Sequence, residues 1–240
     1  PLIVKLSYMV IPILPEESKR QEDRRLIYMV QTGDLPSSVA LQQARMEISR
    51  MGQMAQQCMQ DAINSFFERD IEQAGRAMDS EDAIDILTDK IQERLIALRS
   101  KDYSAKVIEQ ISQMILVASD IERLSDHGRN IAQYTEQCKN KKATISKKGI
   151  KDLKKLADAS LKAVETGFRI FEHEEYQLLS EAEQMQQEVN DLQISAVNSH
   201  IDRLMKGTCE PLGGVIFTKM ASDLDRCCDH AINVATAITE

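Results

Sequence analysis

Apolar residues recur along most of this chain with the period of an α-helix. Between Ser38 and Phe67 they return to one face, at Leu41, Ala44, Ile48, Met51, Ala55, Met59 and Ile63. This is the spacing of an amphipathic helix. No segment alternates apolar and polar residues as a β-strand would. The pattern predicts an all-α protein with six helices, at about 37–69, 71–99, 103–138, 146–173, 175–206 and 211–239.

Part of the third predicted helix is repeated in the sixth. Ser119–Ala132 reads SDIERLSDHGRNIA, and Ser222–Ala235, 103 residues later, reads SDLDRCCDHAINVA. Seven of the fourteen positions are identical. Each half then holds three helices, which predicts two tandem antiparallel three-helix bundles. We expect a lead-in at 1–23, the first bundle at 24–140 and the second at 141–240.

Residues that favour helix ends agree with this division. Pro36 and Pro211 suit the first turn of a helix, and Asp102 and Ser146 suit the N-cap position. Gly207 suits a C-terminal stop. The composition also favours long helices, because there is no proline from residue 37 to residue 210 and aromatic residues make up only 4% of the chain.

Charge and cysteine content narrow the classes of function. The 240 residues carry a formal net charge of −8, so no basic excess exists to neutralise nucleic-acid phosphates, and a cation is the better-matched ligand. Five cysteines without a CxxC pair indicate reduced thiols in a cytosolic setting and argue against a cysteine-ligated zinc site. No catalytic nucleophile with a base partner and no phosphate-cradling glycine loop is visible, so we do not expect an enzyme.

Two segments bear on a membrane. The stretch from Leu2 to Leu14 is apolar but too short to span a bilayer, which needs about 20 residues. It either packs on the domain or follows a membrane segment that lies upstream. The tract Lys139–Lys155 holds eight lysines. Such a run is ordinarily a solvated surface, and its functional alternative is contact with an anionic membrane surface.

Each copy of the repeat carries a row of oxygen-bearing side chains. The rows, at intervals of four residues, are Glu122, Asp126 and Asn130 in the first copy and Asp225, Asp229 and Asn233 in the second. On a helix such residues lie one above another, about 6 Å apart along the axis. Carboxylate oxygens in this arrangement can share hard cations.

The second predicted helix of each half can add ligands to these rows. In the first half these are Glu81, Asp82, Asp85 and Asp89, of which Glu81 and Asp85 show the same acid-x-x-x-Asp interval. The offset of 103 residues places Glu188 at the position of Asp85 but Gln184 at the position of Glu81. The second site is therefore expected either to lack one carboxylate or to be shifted toward Glu183 or Asp191, and the two sites are expected to differ in metal affinity.

A simpler interpretation of the acids is a solvated face. They lie well round the helix from the apolar stripe, and Arg123 and Arg226 are placed to form surface ion pairs with Asp126 and Asp229. His127 points about 100° away from Asp126. We therefore expect His127, and likewise His230 in the second copy, to form hydrogen bonds between helices rather than to bind metal.

The segments ERLSDHGRN and DRCCDHAIN resemble the duplicated signature of PhoU-type domains, phosphate-signalling proteins built from two three-helix bundles. Leu35–Met51 and His200–Phe217 resemble parts of the PhoU-like C-terminal domain of bacterial Na/Pi cotransporters. The resemblance implies iron or zinc clusters held by acid-x-x-x-Asp motifs. It carries over the pairs Glu122/Asp126, Asp225/Asp229 and Glu81/Asp85 as candidate ligands. The chain departs from the family pattern at Asp225, where Glu is favoured, and at Cys228, where Gly is favoured.

The resemblance implies a cytosolic, metal-binding regulatory domain of a sodium-dependent phosphate transporter. Its partner would be the transporter domain of the same polypeptide, at the cytoplasmic face of the inner membrane. The alternatives are a free-standing PhoU-like regulator and a purely structural helical adaptor, and a homo-oligomer stays open. A ferritin-like metal enzyme is disfavoured, because no histidine has Glu three residues before it.

Overall fold

The structure, a computed structural model, describes residues 22–30 and 35–237, and six long helices dominate these ranges. The helices are α1 (Ser37–Glu68), α2 (Ile71–Arg99), α3 (Ala105–Asn140), α4 (Lys147–His173), α5 (Leu179–Met205) and α6 (Pro211–Thr236), with a 3₁₀ turn at Tyr176–Leu178. No strand occurs in the described ranges, and no helix there is both long and apolar enough to cross a membrane. The predicted all-α fold of two three-helix bundles is confirmed. The apolar stretch Leu2–Leu14 lies outside the described residues.

Polar side chains define several of the helix starts. Ser146 accepts one backbone N–H group at the start of α4, as predicted, and Asp70, which was not predicted as a cap, accepts two at the start of α2. Glu210 does the same for α6, whose first residue is proline. Asp102 is not a cap, because α3 begins after Ser104.

Each bundle buries the apolar stripes that the sequence predicts. Ile121, Leu124 and Ile131 of α3 are fully buried. Helices α4 and α6 approach so closely at Gly167 that a β-carbon there would lie 2.4 Å from the carbonyl oxygen of Ala231. Only glycine permits this contact, which keeps the second bundle tightly packed.

The two bundles pack side by side through four of the six helices. Helix α3 contacts α6, and α1 contacts α4, while α2 and α5 pack only within their own bundles. At the α1–α4 contact, a β-carbon on Gly52 would meet the ring of Phe168 at 2.5 Å. This arrangement leaves α2 and α5 as the outermost helices, so the acids of α2 lie on an outer helix that packs beside α3.

Candidate metal site and the interface between the repeats

The polar side chains that the repeat preserves bond across the two bundles. Nδ1 of His127 lies 2.7 Å from Oδ1 of Asp223, and the amide of Asn130 donates to the same oxygen at 3.3 Å. Tyr134 donates its hydroxyl to the other carboxylate oxygen of Asp223 at 2.6 Å. Asp223 is nearly buried, so these three donors replace the water that its charge has lost.

The second copy makes the same contacts in reverse. Nδ1 of His230 lies 2.8 Å from Oδ1 of Asp120, and Asn233 donates to that oxygen at 3.0 Å. The imidazole rings of His127 and His230 stack with centroids 5.6 Å apart. The repeats are thus related by an approximate two-fold axis that passes between these rings. The prediction that both histidines form hydrogen bonds between helices is confirmed.

This interface accounts for residues that the sequence reasoning misjudged or missed. Asn130 and Asn233 were expected in the acid rows, but their amides face the opposite bundle because each stands three residues after its histidine, one turn along the same side of the helix. Asp120 and Asp223 were not singled out. The signal was available, since each stands seven residues before its histidine in both copies.

Helices α2 and α3 bring the predicted acids of the first bundle together. We call Glu81, Asp85, Asp89, Glu122 and Asp126 the first acid face. Burial raises the pKa of Glu122, and the negative charges of Asp126, Asp85 and Asp89 raise it further. These side chains therefore lie close enough to repel one another, as expected of a site that a cation would relieve.

Glu81 is the most buried carboxylate of this face. Burial raises its pKa to about 7, although a hydrogen bond and the charge of Arg129 act to lower it, and Asp82 and Asp126 raise it further. Nη1 of Arg129 donates to Glu81 and also to Asp82, the latter at 2.6 Å. Arg129 has no cationic counterpart in the second repeat, where the equivalent position is Ile232.

The donor set of the first acid face suits a hard cation. Its candidate ligands are carboxylate oxygens from two facing helices, and burial raises the pKa values of Glu81 and Glu122, with a smaller contribution from the neighbouring negative charges. Within the described ranges, no three histidine, cysteine or acidic side chains already converge as metal ligands. Metal binding at this face would require a rearrangement of side chains, including a change in the contact between Arg129 and Glu81.

The second bundle does not follow the 103-residue offset on its second helix. On α2 the buried positions include Ala77, Ile84, Ile91 and Leu95, and on α5 they are matched 105 residues later by Ala182, Val189, Ala196 and His200. Gln186, not Gln184, therefore corresponds to Glu81, and Asn190, not Glu188, corresponds to Asp85. Both acidic positions of α2 have become amides.

The contacts of the second face agree with this register. Gln186 donates to Asp229 at 2.9 Å, while Glu188 is exposed. Burial raises the pKa of Asp225, with a further contribution from Asp229. Arg226 pairs with Asp229 at 3.2 Å, the surface ion pair that the sequence predicts. We call Asp225 and Asp229 the second acid face, and it is poorer in carboxylates than the first.

Comparison with known proteins places both halves of the chain in one family. The family model described as "PhoU domain" matches residues 48–135 and again 153–238. A Thermotoga maritima protein named "Phosphate-specific transport system accessory protein PhoU homolog 1" is 23% identical over 80% of this chain and 82% of its own length. A Xylella fastidiosa homologue is 25% identical over 79% of this chain and 78% of its own.

Solved structures show the same fold. PhoU from Pseudomonas aeruginosa superposes with a TM-score of 0.79 at 19% identity, over 84% of this chain and 96% of that one. The phosphate transport system regulatory protein PhoU from Streptococcus pneumoniae gives 0.74 at 17% identity, over 84% of this chain and 94% of that one. Because the family model matches both repeats, the chain belongs to the PhoU domain family.

Proposed function

We propose that this protein is a PhoU-type accessory regulator of phosphate transport. The observation that carries the proposal is the double match to the PhoU domain, one match in each bundle. The relatives named above are accessory proteins of phosphate-specific transport systems and are matched over about four-fifths of their length. Their names support the free-standing regulator better than the transporter domain, and none of these names denotes an enzyme.

The first acid face is the proposed metal site of this regulator. Glu81, Asp85, Glu122 and Asp126 would hold iron or zinc, which supplies positive charge between α2 and α3 when bound. Glu81 must lose its proton to become a ligand, and its pKa of about 7 makes this step sensitive to pH near neutrality. In the absence of metal, Arg129 donates a hydrogen bond to Glu81, and its positive charge offsets part of the repulsion among the acids of this face.

The second acid face is proposed to bind metal weakly. Asp225 and Asp229 retain the acid-x-x-x-Asp interval, but Gln186 and Asn190 stand where the first bundle has carboxylates. Glu188 would have to be drawn in from its exposed position. Amide oxygens carry no charge, so a cation gains less at this face than at the first.

The regulatory role can be tested in the natural host. Deletion of the gene should change phosphate uptake and release a phosphate-starvation reporter from repression at high phosphate. The wild-type gene should restore both, and Glu122→Ala/Asp126→Ala should restore them less well than Asp225→Ala/Asp229→Ala. A deletion that alters neither uptake nor the reporter would contradict the proposal.

Metal binding has a separate test in the purified protein. Elemental analysis after purification without chelator should find iron or zinc in the wild type. Asp126→Ala should lose most of this metal, whereas Asp229→Ala should retain it. Equal, sub-stoichiometric metal in all three samples would leave the acids as a solvated face and end the metal proposal.

A narrower hypothesis is that the protein regulates a sodium-dependent phosphate cotransporter as its cytosolic domain, at the cytoplasmic face of the inner membrane. It rests on the resemblance of Leu35–Met51 and His200–Phe217 to that subfamily. Reading the gene upstream of Pro1 tests it. Encoded transmembrane helices in the same frame would support it, and a start codon with no such helices would exclude it.

A further inference from the structure

One end of the second bundle combines exposed apolar side chains with a cluster of lysines. We call it the basic end: the loop 141–146 with the last turns of α3 and α5 and the first turns of α4 and α6. A β-carbon on Gly213 would lie 2.0 Å from the carbonyl oxygen of Thr144, which joins the loop to α6. Arg203 on α5 bonds Asp152 on α4 at 2.9 Å. Because the loop leads directly into α4, these contacts join the loop, α4, α5 and α6.

The charge at this end opposes the charge of the whole protein. Residues 139–151 contain six lysines and no acidic residue, and all six lysines are exposed. The acids of this end include the exposed Asp202 on α5, Asp152, which is paired with Arg203, and Glu210, which accepts backbone N–H groups at the start of α6. The chain as a whole carries a net charge of −8, so this end is a local positive patch on an acidic molecule.

Large apolar side chains project from the same end. Met205, the last residue of α5, is 82% exposed, and Ile201, Leu204 and Val215 are each between 43% and 52% exposed. Leu204 adjoins α6, because its Cδ2 would lie 3.6 Å from a β-carbon on Gly214. A lysine also adjoins this group, since Lys206 follows Met205 directly.

Two of the corresponding positions in the first bundle are polar. In the register that aligns α5 with α2, Met205 corresponds to Ser100 and Leu204 to Arg99, while Ile201 corresponds to Ile96. The apolar end of α5 is therefore a feature of the second repeat that the first repeat does not share. It lies at the opposite end of the molecule from Ile96, because the two bundles pack antiparallel.

We propose that the basic end docks on an anionic phospholipid surface, with Met205 and its apolar neighbours entering the headgroup region and the lysines facing the phosphates. Apolar side chains surrounded by lysines are the pattern of proteins that bind at a membrane interface. The lysines supply attraction that an acidic protein otherwise lacks. This proposal is independent of the proposed metal site and of the regulatory role.

Vesicle co-sedimentation of the whole protein tests the proposal. The protein should bind vesicles of phosphatidylglycerol and phosphatidylcholine in equal parts, should not bind pure phosphatidylcholine, and should be released by high salt. Lys147→Glu/Lys148→Glu and Met205→Asp should each weaken binding by about tenfold or more. Lys106→Glu/Lys162→Glu makes the same change of charge elsewhere on the surface and should reduce binding much less.

A matched pair of variants distinguishes the exposed apolar side chains of the basic end from exposed apolar side chains elsewhere on the protein. Ile201→Asp should weaken vesicle binding, whereas Ile96→Asp, its counterpart in the first repeat, should not. Far-UV circular dichroism confirms that each variant is folded. Binding that is absent, or equally affected by all the variants, would overturn the proposal. Self-association through Met205 without vesicle binding would also overturn it, in favour of a second copy as the occupant.

Discussion

The two equivalent aspartates at the interface between the repeats allow their contributions to the free energy of unfolding to be compared within one protein. Asp223 accepts hydrogen bonds from His127, Asn130 and Tyr134, and its side chain is 11% exposed. Asp120 occupies the equivalent position, accepts from two donors, and its side chain is 19% exposed. Replacing each by alanine removes the same atoms from the same helical environment. The two variants should therefore differ because of burial and the third donor.

The expected magnitudes follow from these contacts. Removing one partner of a buried, hydrogen-bonded charge costs about 3–5 kcal/mol, so Asp223→Ala should lower the free energy of unfolding by about that amount. Asp120→Ala exposes its former partners to water, and a loss of about 1–3 kcal/mol is expected. Much of the difference comes from Tyr134, whose buried hydroxyl would lose its acceptor.

Urea denaturation followed by circular dichroism measures both losses under one condition. Tyr134→Phe as a background should bring the two aspartate variants to within about 1 kcal/mol of each other, since it removes the donor that only Asp223 has. Equal losses in the wild-type background, or a larger loss for Asp120→Ala, would refute this account of the interface.

Four further variants test other parts of the structure. The raised pKa of Glu81 means that the folded protein holds this proton more tightly than the unfolded chain does. The stabilisation that protonated Glu81 gives the folded protein is complete below the usual carboxyl pKa, and it is lost as the pH rises to about 7. Urea unfolding of metal-free protein should therefore show a stability that falls over this range, and Glu81→Gln should flatten the fall. Gly167→Ala should cost about 1–3 kcal/mol in the same assay, because its β-carbon would meet the backbone of α6, and an unchanged midpoint would contradict the close approach. Gly75→Ala, with no atom within 4 Å of its β-carbon, should instead stabilise α2 by about 0.5–1 kcal/mol. Glu47→Ala should increase proteolysis within residues 22–30, because one oxygen of the buried Glu47 accepts three consecutive backbone N–H groups of that segment, and unchanged cleavage would count against this role.

The helices were predictable because their apolar period is long and uninterrupted. Ile48 and Met51 are buried as the pattern indicates, and α2 begins and ends at the predicted residues. The register of α5 was not predictable from the offset of 103 residues. The connection before α5 includes the turn Tyr176–Leu178, whereas only Arg69 and Asp70 separate α1 from α2. An insertion in a turn leaves no periodic signal.

Contacts between distant segments were also beyond the sequence. Asp120 and His230 are 110 residues apart, and periodicity within one helix says nothing about which helix lies opposite. The first acid face was predictable in part, since Glu81 and Asp126 were both expected there. Arg129 was missed, because the acids were read from their spacing on each helix and its bond to Glu81 depends on how α2 and α3 pack.

Anomalous X-ray diffraction from crystals grown with iron or zinc tests the central claim most directly, because it locates the metal as well as detecting it. We predict a strong anomalous peak between α2 and α3, within bonding distance of Glu122 and Asp126, and a weak peak or none beside Asp225 and Asp229. A dominant peak at the second acid face, or none at the first, would contradict the division of roles between the two repeats.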